Sequence, residues 1–298
     1  MKLLYCGLKY DYGKRENGFS FEHNNFYNSF ISMSKINKVD YLAIDELIEN
    51  YGKDHLNNEL ARISKMNNYD LIFFFMFKDE FYKSTLNYIK NDLSIPTVAW
   101  MADDHWRFEN YSKFWANYFS LIVTTDKNSL SKYFKNGITN VHLSQWACNH
   151  NLYKPNIRQV KYKTTFIGMC YGNRLNNIRI LNANEELVKC WGKGWDKGKI
   201  SLNKMNEIYS NSNINLNFSQ SSYQKNIKTF IKIFINKDYN NKFRLNNLDI
   251  IFANLKNFNS PVKKQIKGRV FEVTGCRGFL LTENCENIQE YFDLNKEI

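Results

Sequence analysis

The run Leu71-Ile-Phe-Phe-Phe-Met-Phe77 leaves this chain few folds to choose from. It forms the bulk of a predicted strand, 69–77, and offers no polar face to water. A strand of that kind is covered on both sides, as in a parallel sheet with helices on each face. It is also far too short to cross a bilayer, which takes about 18 apolar residues or more.

The surrounding sequence supplies the rest of such a sheet. Predicted strands 2–7, 39–44, 96–101, 121–125 and 140–143 alternate with helical patterns over 19–36, 47–66, 81–91, 111–118 and 127–136. This βαβα rhythm implies a doubly wound domain. It breaks near 151–155, where a charged stretch runs to 163, and then restarts. Strands 164–169, 187–191, 214–218 and 279–282 alternate with helices 174–182, 202–211, 268–275 and 288–292. The expected fold class is therefore α/β with two Rossmann-like domains, 1–155 and 156–298. Residues 220–266 fit poorly and read as an insertion in the second domain.

Six cysteines are scattered without a CxxC pair, so a zinc site or disulfide framework is not expected. They read as reduced thiols of a cytoplasmic protein, and the N-terminus has no signal-peptide pattern. Residues 1–155 carry 18 Lys+Arg against 17 Asp+Glu, whereas 156–298 carry 23 against 12. A basic second half suits a polyanion: nucleotide phosphates, a nucleic acid or an anionic membrane face. A solvated, solubilising surface would give the same count.

Three stretches of the second half could hold phosphate. In Thr165-Phe-Ile-Gly-Met-Cys-Tyr-Gly-Asn-Arg174, Gly168 and Gly172 let backbone amides approach an anion. Asn173 and Arg174 open the following helix, whose N-terminus favours negative charge. The plain alternative is an ordinary strand–helix turn. In Val188-Lys-Cys-Trp-Gly-Lys-Gly-Trp195, Gly192 could admit a base or ribose to the main chain. Trp195 could stack on that base or simply pack. In the third stretch, 267–283, Arg269 and Glu272 share a helix face. Such a pair suits a diphosphate and a ribose, or is a surface ion pair contributing little.

This third stretch, Arg-Val-Phe-Glu-Val-Thr-Gly-Cys-Arg-Gly-Phe-Leu-Leu-Thr-Glu283, resembles the donor-domain signature of the CgeB-like (spore-maturation-protein-like) branch of group 1 glycosyltransferases. The stretches ending at Arg174 and Trp195, and Ile208-Tyr-Ser-Asn-Ser-Asn-Ile-Asn-Leu-Asn-Phe218, follow in that family's order, and Trp100-Met-Ala-Asp-Asp-His105 is more weakly similar. The resemblance implies a GT-B fold, two Rossmann-like domains facing across a cleft. It implies a hexosyltransferase-type enzyme moving a sugar from a nucleoside-diphosphate-sugar donor, with no cofactor and no metal. The acceptor would be a glycan, a protein or a lipid-linked molecule, and peripheral membrane association stays open. By the same resemblance Arg174 and Arg269 balance the diphosphate, Glu272 holds the ribose, and Gly168 and Gly192 line the donor site. Two departures stand out. Lys264 occupies the place of a second glutamate, and the chain ends at Ile298, where the family usually continues with helices that cross back.

For the acceptor side, Asp103, Asp104 and His105 follow a predicted strand end and could take a proton from a hydroxyl. They could equally form a helix-capping turn. Glu22 and His23, after the loop that follows the first strand, are the second choice. Two other readings stay open: a sugar-nucleotide-binding pseudoenzyme, and a basic nucleic-acid-binding protein. The latter is disfavoured because no nucleic-acid motif appears.

Overall fold

In the computed structural model every residue from Met1 to Ile298 is described except 158, 185–186, 222–224, 238–241 and 295. The chain forms two compact units, residues 1–145 with 225–261, and residues 146–224 with 262–298.

The first unit is built on six strands: β1 (Lys2–Gly7), β2 (Lys38–Ala43), β3 (Leu71–Phe75), β4 (Thr97–Met101), β5 (Leu121–Thr124) and β6 (Val141–Leu143). They lie in the order β2-β1-β3-β4-β5-β6 with every pairing parallel. β3 is buried on both faces, as its composition requires. Ile72 and Phe74 enter one core with Leu4, Cys6 and Ala99. Phe73 and Phe75 face an aromatic layer that includes Phe26 and Phe30. The helical segment Ile44–Asn67 turns at Gly52, whose φ of 85° no L-residue adopts comfortably, so the single helix expected there is broken in two.

The second unit has β7 (Tyr162–Ile167), β8 (Val188–Trp191), β9 (Ser212–Asn217) and, after a short antiparallel hairpin of β10 (Ile235–Lys237) and β11 (Phe243–Leu245) that belongs to the first unit, β12 (Leu280–Thr282). Its sheet is parallel throughout, in the order β12-β9-β7-β8. Trp191, Ile208, Tyr209, Val270, Val273 and Leu280 pack beneath one face. Phe166, Ile178, Val188, Leu216 and Phe218 pack on the other. Both units are thus Rossmann-like α/β layers, as the strand–helix rhythm predicts.

The division of the chain differs from the one expected. The break falls at 145/146 rather than 155/156, and 225–261 packs into the first unit rather than the second. Asn110 Nδ2 donates to Asn254 Oδ1 at 2.8 Å, and Asn257 Nδ2 to the Trp106 carbonyl at 2.7 Å. The charge count changes with it: residues 225–261 hold seven Lys+Arg against two Asp+Glu. Much of the positive excess of the second half therefore lies outside the second unit.

Candidate functional site

Ligands of open α/β sheets bind where the strand order reverses, beyond the carboxyl ends of the two strands that flank the reversal. In the second unit those strands are β7 and β9. Arg174, first residue of the helix Arg174–Ala183, joins the loops that leave them. Its Nη1 donates to the Met169 carbonyl at 2.9 Å, and its Nη2 to the Phe218 carbonyl at 3.3 Å and to Tyr171 Oη at 2.7 Å. The Tyr171 ring lies 3.8 Å from the guanidinium centre. The side chain is buried and faces no carboxylate at ion-pair distance among the described residues. Burial lowers its pKa to about 10, and the charge of Arg269 adds to that fall against Tyr171 and Glu283.

Arg269 arrives from the helix Gly268–Gly275, and both guanidinium groups lie over Phe166, at 5.4 Å for Arg174 and 5.9 Å for Arg269. Arg269 Nε donates to Tyr209 Oη at 3.3 Å. Its two terminal nitrogens have no hydrogen-bond partner among the described residues. Burial works against this cation, but Tyr209 and Glu272 outweigh it and its pKa is raised. Two cations at one strand crossing, neither in an ion pair, favour an anion strongly.

Glu272, one turn on, is buried rather than surface-paired. Tyr153 Oη donates to its Oε1 at 2.9 Å and Tyr209 Oη to its Oε2 at 3.4 Å. Burial holds its carboxyl above the usual range, although Arg269 and the two tyrosines oppose the shift. Glu272 therefore anchors Tyr209, which in turn holds Arg269. The tyrosines were not visible as site residues in the sequence. The only trace is the position of Tyr209 one turn before the strand that carries the crossing.

The glycines divide by role. A Cβ on Gly168 would lie 2.7 Å from Arg269 Nη1, so this glycine makes room for the guanidinium. Gly172 has a φ of 58° and opens the turn before Arg174. Asn173 occupies the N-cap position of that helix with an exposed side chain that makes no cap hydrogen bond. Gly192 has a packing reason of its own. A Cβ there would meet the Gly168 carbonyl oxygen at 2.3 Å, so the close approach of two strand ends by itself requires a glycine. Trp195 likewise packs: its Nε1 donates to the Gly168 carbonyl at 2.7 Å and its ring stands edge-on to Phe166. Lys264 pairs with Glu283 at 3.4 Å, and Glu283 also accepts from the Ser219 amide at 2.8 Å.

In the first unit the order reverses between β1 and β3. Asp103 follows β4 in a left-handed conformation, φ 65°, and its carbonyl accepts the Trp106 and Arg107 amides at the start of a helix. Asp104 is wholly buried and accepts from Tyr133 Oη at 2.9 Å, and burial lifts its pKa to about 6. His105 is buried too. Asp104 and His105 are thus core residues of a helix start, out of reach of an acceptor. Glu22 is better placed, at the start of the helical segment that follows the loop after β1. Burial pushes its carboxyl up to about 7, with Asp11 and Asp103 acting in the same direction against hydrogen bonds from Ser20 and its own backbone. Among the described residues no three His, Cys, Asp or Glu side chains are grouped to hold a metal ion.

No protein-family signature matches the chain, and no curated protein matches it. Solved structures do. One, assigned as a UDP-N-acetylglucosamine 2-epimerase from Listeria monocytogenes, is 6% identical and aligns over 72% of this chain and 73% of its own with a TM-score of 0.44. A second UDP-N-acetylglucosamine 2-epimerase is 8% identical over 72% of this chain and 74% of its own, again with a TM-score of 0.44.

Proposed function

We propose that the protein binds a nucleoside-diphosphate sugar through its second unit and transfers the sugar to an acceptor hydroxyl, as a CgeB-like, GT-B glycosyltransferase. The observation that carries donor binding is the pair Arg174 and Arg269 over Phe166, two guanidinium groups at the β7/β9 crossing, neither with a carboxylate at ion-pair distance among the described residues. A diphosphate supplies two adjacent anionic groups and relieves their mutual repulsion. Arg174 is spent on carbonyls and acts mainly through its charge. Arg269 has the free terminal nitrogens and makes the hydrogen bonds.

The transfer breaks the bond between the anomeric carbon and the β-phosphate oxygen and forms one to the acceptor oxygen. The nucleoside diphosphate leaves with the bond electrons, and its charge grows next to the guanidinium groups. Of the candidates for the acceptor base, Glu22 has a carboxyl that burial pushes up to about 7, a value suited to taking a hydroxyl proton near neutral pH. The CgeB-like assignment rests on the motif order in the sequence, with Lys264 and Glu283 forming an ion pair where the family pattern has a second glutamate.

A thermal-shift panel of UDP-, GDP-, ADP- and CMP-sugars tests the reading. The true donor at ~100 times its dissociation constant should stabilise the fold by ~2.7 kcal/mol. With acceptor extracts present it should also release free nucleoside diphosphate. Stabilisation without release would leave a binding protein and remove the transferase claim.

A further inference from the structure

The described residues of the excursion 225–261 form a helix, two paired strands and a second helix that the proposed reaction does not use. Its first helix, Ile227–Phe234, turns its apolar residues the wrong way for a core. Ile227, Phe230, Ile231 and Phe234 recur at i, i+3, i+4 and i+7, all on one face, and all are exposed, Ile227 at 80%. Ile233 is the buried residue of this helix, and one edge of Phe230 packs on the Phe258 ring of the following helix at 5.7 Å. The hairpin repeats the pattern: Phe243 and Leu245 share one side of β11, with Leu245 83% exposed. Leu248 and Phe252 of the helix Leu248–Asn259 are exposed as well.

Cations flank this apolar surface. Lys225, Lys228, Lys232 and Lys237 are exposed, and among the described residues none of them has a carboxylate partner. Seven basic residues against two acidic ones give the excursion a net charge of about +5 by formal count. A second copy of the chain would bring the same positive charge against itself. No helix among the described residues is long and apolar enough to cross a membrane.

We infer that this excursion is a membrane-docking element that lies in the interface of an anionic bilayer, with its isoleucines and phenylalanines among the acyl chains and its lysines at the headgroups. Short amphipathic helices with this division of apolar and basic faces bind in that way. The lysine stems are long enough to follow the apolar face inward while their ammonium groups stay at the phosphates.

Co-sedimentation of the whole protein with vesicles tests this. Wild type should pellet with phosphatidylcholine vesicles containing about one-third phosphatidylserine, should pellet far less with phosphatidylcholine alone, and should be released by salt. The Ile227→Asp, Ile231→Asp pair should lose binding more than tenfold. The Lys228→Ala, Lys232→Ala pair should lose about thirtyfold, which is about 1 kcal/mol for each lysine. Both pairs are on the surface, and unchanged circular dichroism confirms the fold; should the aspartate pair unfold, the lysine pair carries the test. Absence of wild-type binding to acidic vesicles overturns the inference. So does equal binding by the lysine pair, or a dimer that the aspartate pair dissolves without any vesicle binding.

Discussion

At the scale of single residues the proposed donor site depends on a relay. Tyr153 and Tyr209 hold Glu272, and Tyr209 accepts the Arg269 Nε–H. Tyr209→Phe removes the acceptor for Arg269 and leaves the ring in place. It should weaken nucleoside-diphosphate affinity about tenfold by calorimetry, since a hydrogen bond to a charged group contributes about 1.5–3 kcal/mol. Glu22 gives a pH signature. Its folded pKa of about 7 exceeds the ordinary glutamate value, so the folded protein binds more protons between about pH 4.5 and 7. Stability should therefore fall as pH rises through that window and level off above it. Glu22→Gln should flatten this dependence and stabilise the protein at pH 8 by up to about 3 kcal/mol. The same variant should abolish the rise of kcat/KM through about pH 7, measured over a pH series. The arginines and Glu272 were legible in the sequence as a spacing. Their partners were not, because Tyr153 and Glu272 are 119 positions apart.

Secondary elements were the most legible scale. The parallel strands fall within a few residues of their expected places, and β1, β3, β4 and β5 stand out because strands buried on both faces leave apolar runs. Loops between them were harder to read. The Gly192 turn carries a glycine that suits either a ligand or a close backbone approach, and only the neighbouring strand end decides it. Gly192→Ala puts a methyl group 2.3 Å from the Gly168 carbonyl oxygen and places a φ of 125° on an L-residue. It should destabilise the fold by about 3 kcal/mol, measured by chemical denaturation, and disturb the Gly168 end of β7. If Gly192→Ala were as stable as wild type, the contact between the two strand ends would be wrong. The helix starts of the excursion also gain an explanation. Asn226 and Asn247 each accept a backbone amide three residues on and so cap the two helices.

On the scale of the whole molecule, residues 225–261 belong with the first unit although they interrupt the second in sequence. Periodicity cannot reveal this, since the contacts that fix it, Asn110 to Asn254 and Asn257 to Trp106, span 144 and 151 positions. The regrouping separates two sources of positive charge that the sequence count merges: one on the excursion, one that includes Arg174 and Arg269. On the two proposals made above, the first source would meet an anionic surface and the second a diphosphate. Calorimetric titration of wild type and Arg269→Ala with UDP, GDP, ADP and CDP tests the diphosphate claim most directly. Wild type should bind at least one of them, and Arg269→Ala, with unchanged circular dichroism, should bind it about ten- to a hundredfold more weakly. Binding of none of the four by wild type, or equal affinities in the two proteins, would contradict a diphosphate site at the β7/β9 crossing.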